Sequence, residues 1–233
     1  SGLVIVGQGQ PQAQQAQLAA LAAHGVPFVV WGAPLDGQPY TTVGGDNLVG
    51  GRLAAGHLLD RGARRVLFIG DLRQPEMALR HAGYLQAHRA RGVAPAGAPA
   101  QHAADDAPAL VAQALQAQPR ADAVFAGSDL LALCAMQTLR QQGRRVPEDV
   151  LVAGYDNTAL AAQLHPPLTS VCPSTAQAGP ALLQALRAIE GGDRPQAVLL
   201  PTRLMLRASS APGLRAPRAA RPTAPAGAGM VDG

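Results

Sequence analysis

With 233 residues, 48% hydrophobic but only 3% aromatic, the chain is long enough for one large domain or two modest lobes with a core of Ala, Leu and Val. No apolar run approaches a membrane span and no secretory signal is visible, so we expect a cytosolic protein without a membrane partner. The formal net charge of +4 does not predict a nucleic-acid surface, because the basic residues lie in a terminal tail or scattered among acids.

Short apolar runs alternating with helical repeats predict a regular series of strands and helices in the first half of the chain. Strands are expected at residues 3–6, 26–31 and 66–69, with a short extended piece at 41–43. Helices are expected at residues 12–24, 47–61, 77–92 and 107–118. A crossing into a second lobe is expected near Gly44-Gly45, and the loop after the strand at 66–69 is expected to run to Glu76.

A βαβ unit is predicted in the second half of the chain. Residues 123–126 and 150–153 suit strands buried on both faces, and the intervening helix begins after Ser128. The carboxyl ends of parallel strands meet at one edge of a sheet, so the loops at Ser128 and Asp156 should face one crevice. Open α/β sheets bind ligands at this edge, and two polar loops there suit something small and hydroxyl-rich.

Short motifs then follow one another between residues 46 and 210. They are Asp46-Asn47, Arg80-His81-Ala82-Gly83-Tyr84, Phe125-Ala126-Gly127-Ser128-Asp129, Val146-Pro147-Glu148-Asp149-Val150, Gly154-Tyr155-Asp156-Asn157, Pro167-Leu168-Thr169-Ser170-Val171 and Leu200-Pro201-Thr202-Arg203-Leu204. In this order and at these spacings, the chain resembles the LacI/GalR family of bacterial transcription regulators. A single motif of this kind is weak evidence, whereas the ordered set is specific.

The resemblance implies an α/β fold of two Rossmann-like lobes with parallel sheets, similar to type I periplasmic binding proteins and joined by three crossings. It assigns residues 1–44 and 173–194 to the N-terminal lobe and residues 45–172 and 195–210 to the C-terminal lobe. The family's DNA-binding headpiece and the opening β-α-β-α segment of its first lobe are not seen, so an incomplete first lobe is expected. Residues 211–233 are a low-complexity Pro/Ala/Arg tail that we expect to be disordered.

Asp156 and Arg80 are the first candidates for ligand binding. The resemblance places Asp156 at the family's ligand-binding aspartate, with an Asx-turn or helix cap as the alternative. Arg80 matches an effector-contacting arginine, and a cation in the first turns of a helix does not stabilise that helix. The alternative for Arg80 is a structural ion pair with Asp71 or Glu76. A carboxylate and a guanidinium are both suited to pairs of hydroxyl groups.

The resemblance adds further candidates with open alternatives. Ser128 is equally suited to donating a hydrogen bond to the ligand and to capping its helix. Trp31 is equally suited to facing the cleft and to packing in the core. His102 matches a position where relatives stack an aromatic ring, although an exposed loop histidine is the favoured alternative. Glu76 and Arg73 lie in a loop where relatives contact the effector. The alternative is that either side chain is simply solvated.

Three further points limit which residues are expected to bind a ligand and which kinds of chemistry are expected. The chain has Gly32 where relatives often carry an effector-binding Asp, which argues against a full share of contacts from the first lobe. Asp129 is expected to cap its helix. No dinucleotide loop, Walker motif, metal-ligand spacing or Ser-His-Asp arrangement is present, so we expect no cofactor, no metal and no catalysis.

The function implied by the resemblance is effector sensing. A small molecule, expected to be a carbohydrate, would bind between the lobes of a homodimer and shift headpieces on operator DNA, which this chain itself does not reach. The alternative is a sugar-binding protein of a transport system with the same fold. An enzyme of Rossmann type is a third hypothesis, for which the sequence offers no nucleophile, base or cofactor loop.

Overall fold

The computed structural model describes residues 2–6, 11–96, 106–193 and 197–211, and only the backbone for residues 11–14. The strands are β1 (Leu3–Val6), β2 (Phe28–Trp31), β3 (Thr41–Gly45), β4 (Val66–Ile69), β5 (Ala123–Ala126), β6 (Leu151–Tyr155), β7 (Thr169–Cys172), β8 (Ala197–Leu200) and β9 (Arg203–Met205). The helices are α1 (Pro11–Ala23), α2 (Asn47–Asp60), α3 (Pro75–Arg91), α4 (Ala107–Ala117), α5 (Asp129–Gln141), α6 (Ala159–Gln163) and α7 (Ala178–Glu190).

Two sheets define two lobes. The sheet of the N-terminal lobe has the order β1-β2-β3-β8 and is parallel throughout. The sheet of the C-terminal lobe has the order β4-β5-β6-β7-β9 and is parallel except for the pairing of β7 with β9. The chain crosses between the sheets after β3, after β7 and after β8. The predicted two-lobe α/β fold with mainly parallel sheets is therefore confirmed.

The crossing after β8 corrects the predicted lobe boundary. Residues 195–210 were assigned to the C-terminal lobe, but β8 pairs with β3 in parallel register, Gly45 opposite Leu200. Only β9, beyond Pro201-Thr202, joins the other sheet. The expectations for His102 and for the tail after residue 211 fall outside the described residues.

The C-terminal lobe buries its sheet on both faces. In β5, Ala123, Val124, Phe125 and Ala126 are all 0% exposed, because α4 and α5 cover one face and α2 and α3 the other. None of the described helices has the length and apolar character needed to cross a membrane.

Helices α2 and α3 approach each other closely at two glycines. A Cβ atom on Gly51 of α2 would overlap the backbone carbonyl of Arg80, and one on Gly83 of α3 would overlap the carbonyl of Leu48. A larger residue at either position would push the helices apart. The two glycines thus fix the first turns of α3, and Arg80 with them, against the start of α2.

Candidate functional site

The candidate site lies at the carboxyl ends of β5 and β6. Asp156 directly follows β6 and has φ +97°, and Asn157 has φ +48°. Such conformations cost about 1–3 kcal/mol each for residues other than glycine. The neighbouring strand β7 holds the turn, because Asp156 N–H donates to Val171 O (2.8 Å) and Asn157 N–H donates to Ser170 Oγ (3.0 Å). The strained turn directs the Asp156 carboxylate towards Arg80.

Arg80 is 8% exposed and held on several sides. Its Nε donates to Asn47 Oδ1 (2.8 Å), and its Nη1 donates to Gly127 O (2.5 Å). Its Nη2 lies 3.5 Å from Asp156 Oδ1, and Cζ lies 3.6 Å from the centre of the Tyr155 ring. A guanidinium has five N–H donors, so about two remain for a ligand. The ion pair is with Asp156, which decides against the predicted alternative of a pair with Asp71 or Glu76.

The electrostatics of this pair are those of a partly desolvated site. Burial raises the pKa of Asp156, the Arg80 guanidinium opposes that rise, and the charge of Asp129 adds to it. The Asp156 side chain remains 39% exposed, whereas that of Arg80 is 10% exposed. A carboxylate with this surrounding gains from hydrogen-bond donors such as ligand hydroxyl groups.

Ser128 and Asp129 have different roles, one as a helix cap and the other in tying α5 to the Asp156 turn. Ser128 is the N-cap of α5, and its Oγ accepts from Leu131 N–H (3.2 Å), which leaves its own O–H free to donate elsewhere. Asp129 does not make this cap, which corrects its predicted role. It is 1% exposed and accepts from the N–H and the hydroxyl of Thr158 (2.7 and 2.9 Å) and from Ser170 Oγ (2.6 Å). Asp129 thereby ties α5 to the turn that carries Asp156.

Glu76 reaches from the C-terminal lobe to the N-terminal lobe. It lies in the first turn of α3, not in the predicted loop, because Pro75 begins the helix. Its Oε1 accepts from Ala33 N–H (3.0 Å), so it is not simply solvated. A Cβ atom on Gly32 would lie 3.4 Å from the same oxygen. The carboxylate of Glu76 therefore occupies space beside the position where relatives often carry an Asp.

The two remaining candidates in the described residues, Arg73 and Trp31, have contacts of their own. Arg73 has a 65% exposed side chain, and its Nη2 lies 2.7 Å from Asp71 Oδ2. Trp31 is half-buried and packs against the N-terminal core with Val43, which favours the core alternative. The structure thus brings Arg80 together with Asp156 and, by a separate hydrogen bond, Glu76 together with the N-terminal lobe.

Sequence reasoning missed two residues of the site. Asn47 and Tyr155 both contact Arg80, one through its amide and the other through its ring. Both lie inside the recognised motifs, next to Asp46 and Asp156, but their partner is distant in sequence.

The described parts of the chain do not support a metal site. Within them, no three His, Cys, Asp or Glu side chains converge to hold a metal ion. A cavity of about 390 Å³ lies at the far end of α5 and is lined by none of the candidate residues; its lining includes Arg140, Arg144, Glu148 and His165.

Comparison with known proteins gives a family model and several relatives. The model of a periplasmic binding protein-like domain matches residues 55–210. The HTH-type transcriptional regulator CelR of Thermobifida fusca is 37% identical over 194 residues, which cover 79% of this chain and 57% of CelR. The chain thus spans little more than half the length of that regulator.

Solved structures agree with these sequence matches. The complex of the regulator CelR with cellobiose has a TM-score of 0.78 at 33% identity, covering 89% of this chain and 65% of that chain. The Lac repressor dimer bound to operator and an anti-inducer has a TM-score of 0.76 at 26% identity, covering 90% of this chain and 64% of that one. These relatives are regulators and not enzymes, in agreement with the predicted absence of catalysis.

Proposed function

Since the chain belongs to the LacI family of transcriptional regulators as its effector-binding domain, we propose that it binds a carbohydrate between its lobes and thereby controls operator binding by the full-length protein. The observation that carries the proposal is the ion pair of the buried Arg80 with the partly exposed Asp156 at the carboxyl ends of the strands. A headpiece outside this chain makes the DNA contact, and the regulator acts in the cytoplasm.

The chemistry of the site favours a neutral, hydroxyl-rich ligand. Arg80 supplies N–H donors and Asp156 accepts from hydroxyl groups, so together they match a pair of neighbouring hydroxyls. Glu76 adds a second carboxylate one turn before Arg80 on α3, and the two carboxylates outnumber the single guanidinium. A phosphorylated sugar is disfavoured by this charge. The relative CelR is described in complex with cellobiose, which supports a disaccharide of this kind.

Regulation requires that the ligand bind one arrangement of the lobes better than another. The hydrogen bond from Ala33 N–H to Glu76 joins the two walls of the cleft and changes when the lobes separate. A ligand that contacts Arg80 and Asp156 of the C-terminal lobe and also reaches the N-terminal lobe beside Ala33 therefore stabilises the closed arrangement.

A homodimer transmits this change to the operator. Leu130 on α5 is 58% exposed and Leu160 on α6 is 39% exposed. The hydrogen bonds from Thr158 to Asp129 place the first turns of these helices side by side. The pair of exposed leucines supports association of two C-terminal lobes through this surface.

Calorimetric titration of the chain with cellobiose, glucose, ribose and glucose 6-phosphate tests the proposal. We expect binding of a neutral sugar, and a loss of at least about tenfold in affinity for Arg80→Ala and for Asp156→Ala, because each removes a charged hydrogen-bonding partner. Arg145→Ala is the control, since Arg145 forms an exposed ion pair with Asp149 far from the cleft. Undiminished affinity in both site variants, with circular dichroism unchanged, would refute the site.

A further inference from the structure

Asn47 occupies the junction between the lobes and the ligand site. It is the first residue of α2, directly after the crossing from β3, and it is 5% exposed. Its side chain is not needed to cap the helix, because Asp46 Oδ1 accepts from Val49 N–H (2.9 Å). The amide is therefore buried at this point for another reason.

The amide of Asn47 accepts one hydrogen bond and donates another. Oδ1 accepts from Arg80 Nε (2.8 Å), and Nδ2 donates to Gly45 O (3.1 Å). Arginine only donates and a carbonyl only accepts, so the chemistry of the partners fixes the orientation of the amide. A carboxylate in its place keeps the first bond and loses the second.

The carbonyl of Gly45 lies where the three crossings between the lobes meet. Asp46 N–H donates to Leu200 O (2.9 Å), just before the chain leaves β8. Thr202 Oγ1 donates to Asp46 O (3.4 Å). A Cβ atom on Gly45 would lie 2.8 Å from Cβ of Pro173, in the crossing after β7. A rotation of the lobes, which bends these three segments, thus displaces the acceptor of the Asn47 amide.

We infer that Asn47 is a positioning residue that couples the orientation of Arg80 to the crossings between the lobes. One arrangement of the lobes presents the Arg80 guanidinium to the ligand, and the other withdraws it through the amide. The differential affinity that a switch requires then arises at the hinge as well as in the cleft. The ligand part of this inference rests on the proposed function, whereas the mechanical link between Arg80 and the crossings does not.

A double-mutant cycle on the ligand-free chain tests the link by amide hydrogen exchange. Arg80→Ala should speed exchange of Asp46 N–H about tenfold relative to the amides of β5, which report global stability. In the Asn47→Asp background the same substitution should have less than a twofold effect, because the connection to Gly45 O is already cut. Independent effects of Arg80→Ala and Asn47→Asp would overturn the inference, whatever the chain binds.

Titration with cellobiose adds a second readout through small-angle scattering. For Asn47→Asp we expect the ligand-induced decrease in radius of gyration to fall by at least half, and for Asn47→Ala the affinity to fall at least tenfold. Gln113→Glu is the control, because it makes the same amide-to-carboxylate change on an exposed residue of α4, on the face of the sheet that α2 and α3 do not cover. If the ligand-induced decrease in radius of gyration is as large in Asn47→Asp as in the unmodified chain, the inference is contradicted. If the unmodified chain binds no sugar, that result counts against the proposed function alone.

Discussion

The two lobes share a strand–helix architecture but differ in how well their sheets are covered. Strand β5, between β4 and β6 in the C-terminal sheet, is completely buried, whereas Leu3, Val4 and Val6 of the edge strand β1 in the N-terminal sheet are 51%, 47% and 58% exposed. The side chains proposed to hold the ligand come almost entirely from the better-packed lobe. The N-terminal lobe contributes the backbone of Ala33 and the space beside Gly32. The difference indicates that one lobe fixes the chemistry of the site and the other closes over it.

The largest expected contrast between the lobes is in local stability. Amides of residues 123–126 should exchange only through global unfolding, whereas amides of residues 3–6 should exchange through local opening. We expect at least about a hundredfold difference in exchange rate, equal to roughly 3 kcal/mol in opening free energy. Hydrogen exchange with mass spectrometry of the corresponding peptides measures it. Similar protection in both peptides would show that the lobes unfold as one unit.

A smaller contrast is expected from one glycine in a helix of each lobe. Gly51→Val in α2 should lower the free energy of unfolding by about 3 kcal/mol, because its side chain would overlap the Arg80 backbone. Gly179→Ala in α7 is the matched change, since no atom lies within 4 Å of the added Cβ. It should be neutral or stabilising by up to about 1 kcal/mol. Urea denaturation compares the two, and a wild-type midpoint for Gly51→Val would contradict the close helix contact.

The smallest expected contrast is in acid sensitivity, which should affect the C-terminal lobe. Burial lowers the pKa of His57, His81 and His88. A histidine with a lower pKa in the folded chain takes up its proton on unfolding, so stability is lost as the pH falls below about 6.5, the usual histidine value. For the buried His88 we expect a loss of about 1 kcal/mol between pH 7 and pH 5.5.

Melting temperatures of the chain and of His88→Gln across this pH range test the expectation. The variant should show a shallower decline with falling pH than the unmodified chain. His165→Gln, which alters an exposed ring, is the control and should leave the slope unchanged. Parallel slopes in all three proteins would exclude His88 as the source of the acid sensitivity.

Local signals in the sequence predicted much of the C-terminal lobe. The strand at residues 123–126 and the helix that follows it were predicted from signals within a few residues, and the structure has both, with Ser128 and not Asp129 as the cap. Parallel strand order predicted that Ser128 and Asp156 share one sheet edge, and the resemblance predicted a ligand role for Arg80. The ion pair of Arg80 with Asp156 was not predicted. Glu76 was misplaced in a loop because Pro75 was not recognised as the first residue of a helix.

Non-local features could not be predicted in the same way. The sequence of β8 is apolar and suits either sheet, and only its pairing with β3 decides the lobe. The role of Asn47 depends on Arg80 and Gly45, which meet at one amide only after α2 packs on α3. A pattern of residues along the chain does not reveal contacts between residues that are distant in sequence.

The left-handed turn at Asp156 and Asn157 restricts how new specificities can arise in this domain. Only glycine, asparagine and aspartate adopt such backbone angles readily, so a β-branched or bulky side chain at this position would distort the turn before it met any ligand. Variation in what is recognised must therefore arise at neighbouring positions such as Glu76 and Ser128. For the design of a sensor from this domain, Asp156 is best left unchanged, and positions such as Glu76 and Ser128 are the ones to randomise.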